Sequence, residues 1–174
     1  MAKDMAQKNS ADFPSPGKQR AMGELLFLAM RSGNYAKIPL GRFHDLLEPA
    51  IDHKLVQVFR FDDIPRAAVL WAKLSAKAER RFLNGEALSH SDWNSGNHLW
   101  VVGLLAPYQG LVPFIVRWGK SDGQLPARKF HYLRVDGDTT DVRKIVRIDL
   151  DAPRGQRLRL MTPETYLARK PRNA

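Results

Sequence analysis

Residues 92–110 read D-W-N-S-G-N-H-L-W-V-V-G-L-L-A-P-Y-Q-G, and no other segment restricts the fold of this chain as much. The run begins as a turn that carries a tryptophan. From His98 to Leu105 it becomes a buried apolar strand, which stops at Ala106-Pro107-Tyr108. Beyond it, Leu111, Phe114, Ile115 and Trp118 recur at helical spacing and predict a short amphipathic helix. A buried strand that feeds a helix through a tight turn is the centre of a layered fold.

The flanking segments fall into place around it. Met22, Leu25, Leu26 and Ala29 predict a helix over 22–30, stopped by Ser32-Gly33-Asn34. Pro39 suits the first turn of a second helix, whose buried stripe is Leu40, Phe43, Leu47, Ala50 and Ile51, with a break or kink expected at Pro49. Residues 55–61 and 67–74 read as a hairpin about the turn Asp62-Asp63-Ile64-Pro65. A helix over 75–83 is capped by Ser75 and ended by Asn84-Gly85. Strands at 130–135 and 142–148 meet at the turn Asp136-Gly137-Asp138. The predicted organisation is a flexible leader (1–20), one domain (21–150) and a basic, irregular tail (151–174) holding Arg154, Arg157, Arg159, Arg169, Lys170 and Arg172. Two leading helices and a mostly antiparallel sheet place the chain in the α+β class.

Composition narrows the chemistry. The 174 residues include no cysteine, which excludes disulfides, thiolate nucleophiles and cysteine-ligated metals. No metal-ligand spacing occurs among the five histidines; His44, His53, His90 and His131 read as surface or satisfied residues. No apolar run approaches the ~20 residues of a membrane helix, and residues 1–20 lack the apolar core of a secretory signal. A formal net charge of +10 favours an acidic partner: nucleic acid, anionic membrane or acidic protein. Nucleic acid fits least, because no strand shows the exposed paired aromatics of a single-strand platform.

Many of these residues, taken in order, resemble the lysine acyltransferases that activate RTX toxins. The resemblance covers roughly 22–149. It is carried by Pro39-Leu40, Phe43, Leu47, Pro49-Ala50-Ile51, Asp63, Pro65, Trp71-Ala72, Leu74-Ser75, Leu83-Asn84, Asp92-Trp93, Ser95-Gly96, Trp100, Ala106-Pro107-Tyr108 and Arg134-Val135-Asp136. It implies a variant of the GCN5-related N-acetyltransferase (GNAT-like) sheet, located in the cytoplasm and able to form a homodimer. It implies no bound cofactor. The acyl donor is acyl carrier protein, whose phosphopantetheine arm holds a fatty acid as a thioester. The acceptor is the ε-amine of a lysine within a protoxin. Acyl carrier proteins are acidic, so the positive charge of this chain would steer the encounter.

The resemblance also implies where the site lies. The donor would meet Trp100, Ala106, Pro107, Tyr108, Gln109 and Gly110. Only Gly110 is available before Pro113, which donates no N–H, so the turn suits a single phosphodiester rather than a pyrophosphate. Acyl transfer needs a neutral lysine, yet a free lysine with pKa near ~10.4 is protonated at neutral pH. The family's histidine after the first helix aligns with Tyr35, and its strand aspartate with Gly103. Tyr35 can donate a proton to the departing sulfur. His98 shares the strand with Gly103, but at an odd offset that puts it on the opposite face unless a bulge intervenes. A glycine inside a strand is itself a sign of a bulge. Two activities fit: a lysine acyltransferase with Tyr35 and Gly103 replacing the usual pair, or a member that binds carrier protein or toxin without turnover.

Overall fold

The computed structural model describes residues 14–33, 35–135 and 142–168. Helix α1 (Pro16–Ala29) starts inside the segment expected to be a leader. The Ser15 hydroxyl accepts the Lys18 N–H at 3.2 Å. Pro16 takes the first turn, where its missing N–H leaves nothing unpaired. This Ser-Pro start signal was hidden because Gly17, Lys18, Gln19 and Arg20 bring no apolar period. Lys18 ties the helix to α2 (Leu40–Asp52) through Glu48 and Asp52, both at 2.9 Å.

Helix α2 buries Phe43, Leu47 and Ala50, and it runs through Pro49 without the expected break. Pro49 lies in the last turn, so it removes one hydrogen bond, and its carbonyl still accepts the His53 N–H at 3.0 Å. The hairpin of β1 (Val56–Phe61) and β2 (Ile64–Leu74) turns on Asp62 and Asp63 alone, two residues fewer than expected. Both adopt left-handed backbone, φ 47° and 61°, which short polar side chains tolerate.

Helix α3 (Ala76–Leu83) is capped as expected, the Ser75 hydroxyl accepting the Ala78 N–H. Strand β3 (His98–Leu105), helix α4 (Leu111–Lys120), strand β4 (Lys129–Val135) and strand β5 (Val142–Asp149) follow. The segment after 149 departs from its expected irregularity. It forms β6 (Leu158–Met161), paired to β5, and α5 (Pro163–Ala168), which buries Tyr166. Four residues, Leu158-Arg159-Leu160-Met161, gave too short an alternation to read as a strand. The turn expected at 136–138, residues 1–13 of the leader and the basic residues Arg169, Lys170 and Arg172 lie outside the described residues.

The six strands form one sheet in the order β1-β2-β3-β4-β5-β6. Every pair is antiparallel except β3 and β4, which α4 joins as a crossover. The fold is therefore α+β with a mixed sheet. Leu25, Leu28, Leu47, Leu70, Leu105 and Ile145 anchor the core at 0–1% exposure. Each such side chain contributes ~1.5–3 kcal/mol on burial.

The motif at 92–96 is architectural. The Asp92 carboxylate accepts the Ser89 N–H at 2.8 Å and an Arg81 N–H at 2.9 Å. Trp93 is buried, and the Ser95 hydroxyl oxygen accepts the Ser75 N–H at 2.9 Å. Gly96 crosses so close to the end of β2 that a Cβ there would lie 2.6 Å from the Leu74 carbonyl oxygen and the Ser75 Cα. These contacts clamp the entrance of β3 against the start of α3.

Candidate active site

Strand β3 is parted from its parallel neighbour along half its length. The pairing with β4 comprises Leu99–Phe130, Trp100–His131 and Val101–Tyr132. Beyond it β3 continues to Leu105 and β4 to Val135. The sheet thus splays after Val101 and Tyr132, and among the described residues one edge of β3 from Val102 onward has no strand paired to it.

A bulge sits at the same place. Leu70 pairs with Gly103 while its neighbour Trp71 pairs with Val101, leaving Val102 unmatched. Leu70, Ala72 and Leu74 share one face of β2, so their partners Gly103, Trp100 and His98 share it too. The bulge cancels the odd offset, and His98 and Gly103 face the same way.

Tyr35 reaches this splay from the single 3-10 turn between α1 and α2 (Tyr35–Lys37). Its hydroxyl oxygen accepts the backbone N–H of Leu104 at 3.2 Å. That oxygen lies 3.4 Å from the place where a Cβ on Gly103 would stand, and Leu70 Cδ1 lies 3.3 Å from it. A side chain at 103 reaching beyond its Cβ would meet the phenol. Burial raises the Tyr35 pKa above its ordinary value of 10.0, against the smaller opposing pull of the Leu104 N–H. The hydroxyl is therefore protonated at neutral pH and able to donate.

His98 is not part of this arrangement. It stands at the other end of β3, its Nδ1 3.1 Å from a Glu79 carboxylate oxygen. Glu79 is 1% exposed. It also accepts the Trp100 indole N–H at 2.8 Å and the Tyr166 hydroxyl at 2.7 Å. Burial, followed by the Glu79 charge, pushes the Tyr166 pKa far up. Trp100 is wholly buried, stacked on His131 with centroids 4.9 Å apart and edge-on to Phe82 and Tyr166. It is a core ring with no surface open to a donor.

Ala106, Pro107, Tyr108, Gln109 and Gly110 lead from β3 into α4, with Gln109 and Gly110 exposed. Gly110 caps the helix at φ 81°, a conformation that favours glycine, and supplies no capping side chain. The Arg66 guanidinium lies over the Tyr108 ring, 5.2 Å from its centroid. Among the described residues no group of three or more His, Asp or Glu could hold a metal ion.

Two participants escaped the sequence. The Leu104 N–H is a backbone group and leaves no residue signature. Glu79 left a usable one: it shares a helical face with Phe82 and Leu83, a carboxylate on an apolar stripe.

Sheet, splay and site together define an α+β protein with a partly buried tyrosine hydroxyl at the open edge of its central strand. Residues 16–149 match the HlyC family, the RTX toxin acyltransferase family. The chain is 25% identical over 136 residues to the protein-lysine myristoyltransferase RtxC of Kingella kingae, covering 78% of this chain and 72% of that one. It is 28% identical over 119 residues to the RTX-I toxin-activating lysine-acyltransferase ApxIC of Actinobacillus pleuropneumoniae, covering 68% and 67%. It is 29% identical over 119 residues to the protein-lysine myristoyltransferase HlyC of Escherichia coli, covering 68% of each. The chain belongs to the RTX toxin acyltransferase family.

Proposed function

We propose that this protein transfers a fatty acyl group from acyl carrier protein to the ε-amine of a lysine in an RTX-type protoxin, in the cytoplasm. One observation carries the reading: the protonated Tyr35 hydroxyl sits on the Leu104 N–H at the splay, where a thioester threaded between β3 and β4 would present its carbonyl.

The lysine must first give a proton to solvent, and the neutral amine is the nucleophile. Its nitrogen then attacks the thioester carbon, and the N–C bond forms as the carbonyl oxygen takes up negative charge. The Tyr35 O–H, oriented by the Leu104 N–H that its own oxygen accepts, is the donor available to that oxygen. As the C–S bond breaks, the thiolate takes the Tyr35 proton and the free thiol leaves. The proton shed by the nitrogen restores Tyr35, so the products are one amide and one thiol. Tyr35 serves as acid and oxyanion donor, and no carboxylate at position 103 takes part. Ala106, Pro107, Tyr108, Gln109 and Gly110 receive the arm of the donor at the start of α4.

Incubation with acylated carrier protein and a protoxin, followed by peptide mass measurement, tests the proposal. A lysine heavier by one fatty acyl group is the expected result; an unmodified acceptor with every acyl donor would refute it. A second reading, binding of carrier protein or toxin without turnover, is favoured by one feature: Gly103 places no carboxylate beside Tyr35. It predicts salt-sensitive binding and no modified lysine.

A further inference from the structure

On the opposite face of the sheet from Gly103, the β1–β2 hairpin and the start of α4 enclose a groove of about 520 Å³. Its walls are apolar, with Phe59, Phe61 and Ala67 on the hairpin and Leu111, Phe114 and Ile115 on the helix. Two of these rings are open to solvent: Phe61 is 68% exposed, and Phe114, edge-on to Phe59 with centroids 5.9 Å apart, is 51% exposed. Ile64 at the hairpin end and Val112 on α4 are exposed as well. A monomer does not keep open aromatic walls of this kind for its own stability.

Of the charges that the described residues place around the groove, one guanidinium is left for an acidic visitor. Arg60 and Arg66 both line it. Arg60 is held by Glu24 on α1, with its Nε 2.8 Å from a carboxylate oxygen. Arg66 rests on the Tyr108 ring, and among the described residues no carboxylate forms an ion pair with it. Asp62 and Asp63 stand at the hairpin tip, and the Asp63 carboxylate is 3.6 Å from Arg20. The net charge of +10 extends the same bias over the whole chain. Tyr108 and Gln109, in the turn proposed to receive the donor arm, also line the groove.

We infer that this groove is the docking surface for an acidic, amphipathic helix of the protein that carries the acyl group. Apolar side chains one helical turn apart seat between Phe61 and Phe114, and a flanking carboxylate pairs with Arg66. Docking there brings the prosthetic arm to the Tyr108–Gly110 turn. The inference rests on the proposed use of a carrier-bound donor.

The test is direct binding of holo acyl carrier protein to the full chain, followed by calorimetry at low and high salt. Arg66→Glu and Phe61→Ser, each with its thermal melting checked against wild type, should each weaken binding about tenfold or more. A carrier variant with one acidic helix residue changed to lysine should recover affinity for Arg66→Glu and not for Phe61→Ser. Wild-type affinity in both variants would overturn the inference. So would a loss confined to binding of anionic phosphatidylglycerol vesicles, or to self-association in sedimentation. Carrier binding is read without turnover, so the two proposals fail separately. Binding lost in the variants with no acylation by wild type refutes the transfer reaction alone. Acylation with unaffected binding refutes the groove alone.

Discussion

The Tyr35 hydroxyl oxygen lies 3.4 Å from the position a Cβ would occupy on Gly103, so the phenol and any long side chain at 103 compete for one volume. Tyr35 and Gly103 are therefore expected to be energetically coupled. Gly103→Asp in the present chain must displace the phenol and costs about 1–3 kcal/mol. Tyr35→His, a shorter side chain, should return part of that loss when combined with it. Urea unfolding of the two single variants and the double variant measures the coupling, which is expected to exceed ~0.5 kcal/mol. Additive losses would show that the two are not coupled.

Glu79 is predicted to hold the C-terminal helix to the sheet. Its buried carboxylate accepts from Trp100 and Tyr166 and pairs with His98. Glu79→Ala strands the donors and should cost about 3–5 kcal/mol, read as a lower urea midpoint. Tyr166→Phe removes one bond and should cost ~1 kcal/mol. Because Trp100 and its neighbours lie apart from Tyr35, Tyr166→Phe should leave the rate of acyl transfer per folded molecule unchanged.

Acid should weaken the join between α1 and the hairpin. The Arg60 hydrogen bonds lower the Glu24 pKa below its ordinary 4.5. A depressed folded pKa stabilises the protein fully above 4.5, and that stability is lost as pH falls through the folded value. Glu24→Gln should therefore be less stable than wild type by about 1–2 kcal/mol at neutral pH. The gap should narrow below pH ~4.5. Thermal melting from pH 7 to pH 3 checks the trend, and a gap that widens with acid would contradict it.

Gly96→Ala tests the clamp at the entrance of β3. Its Cβ would meet backbone atoms at 2.6 Å, and backbone cannot move aside as a flexible side chain can. A loss of ~3 kcal/mol is expected by chemical denaturation. Gly119→Ala, whose Cβ would meet only Leu125 Cδ1 at 3.6 Å, is the tolerated comparison.

The central strand, its helix and the first hairpin were legible because hydrophobic period and turn residues agreed along residues 55–120. The two ends were not. At Pro16 a cap signal lacked an apolar period to support it, and β6 is four residues long with arginine between its leucines. The site was half legible. Tyr35 and Gly103 stood out by alignment to a family pattern, and a bulge was foreshadowed by glycine in a strand. Their shared volume, and the Leu104 N–H between them, depend on a contact 69 residues apart in sequence that no local pattern encodes.

The central claim is that the Tyr35 hydroxyl does chemistry at the splay. The most direct measurement is the single-turnover rate of acyl transfer to the protoxin lysine by wild type and by Tyr35→Phe, which keeps the ring and removes only the oxygen. The account predicts a loss of about 10²–10³-fold in rate with melting temperature changed by a few degrees at most. Equal rates in the two proteins would contradict it.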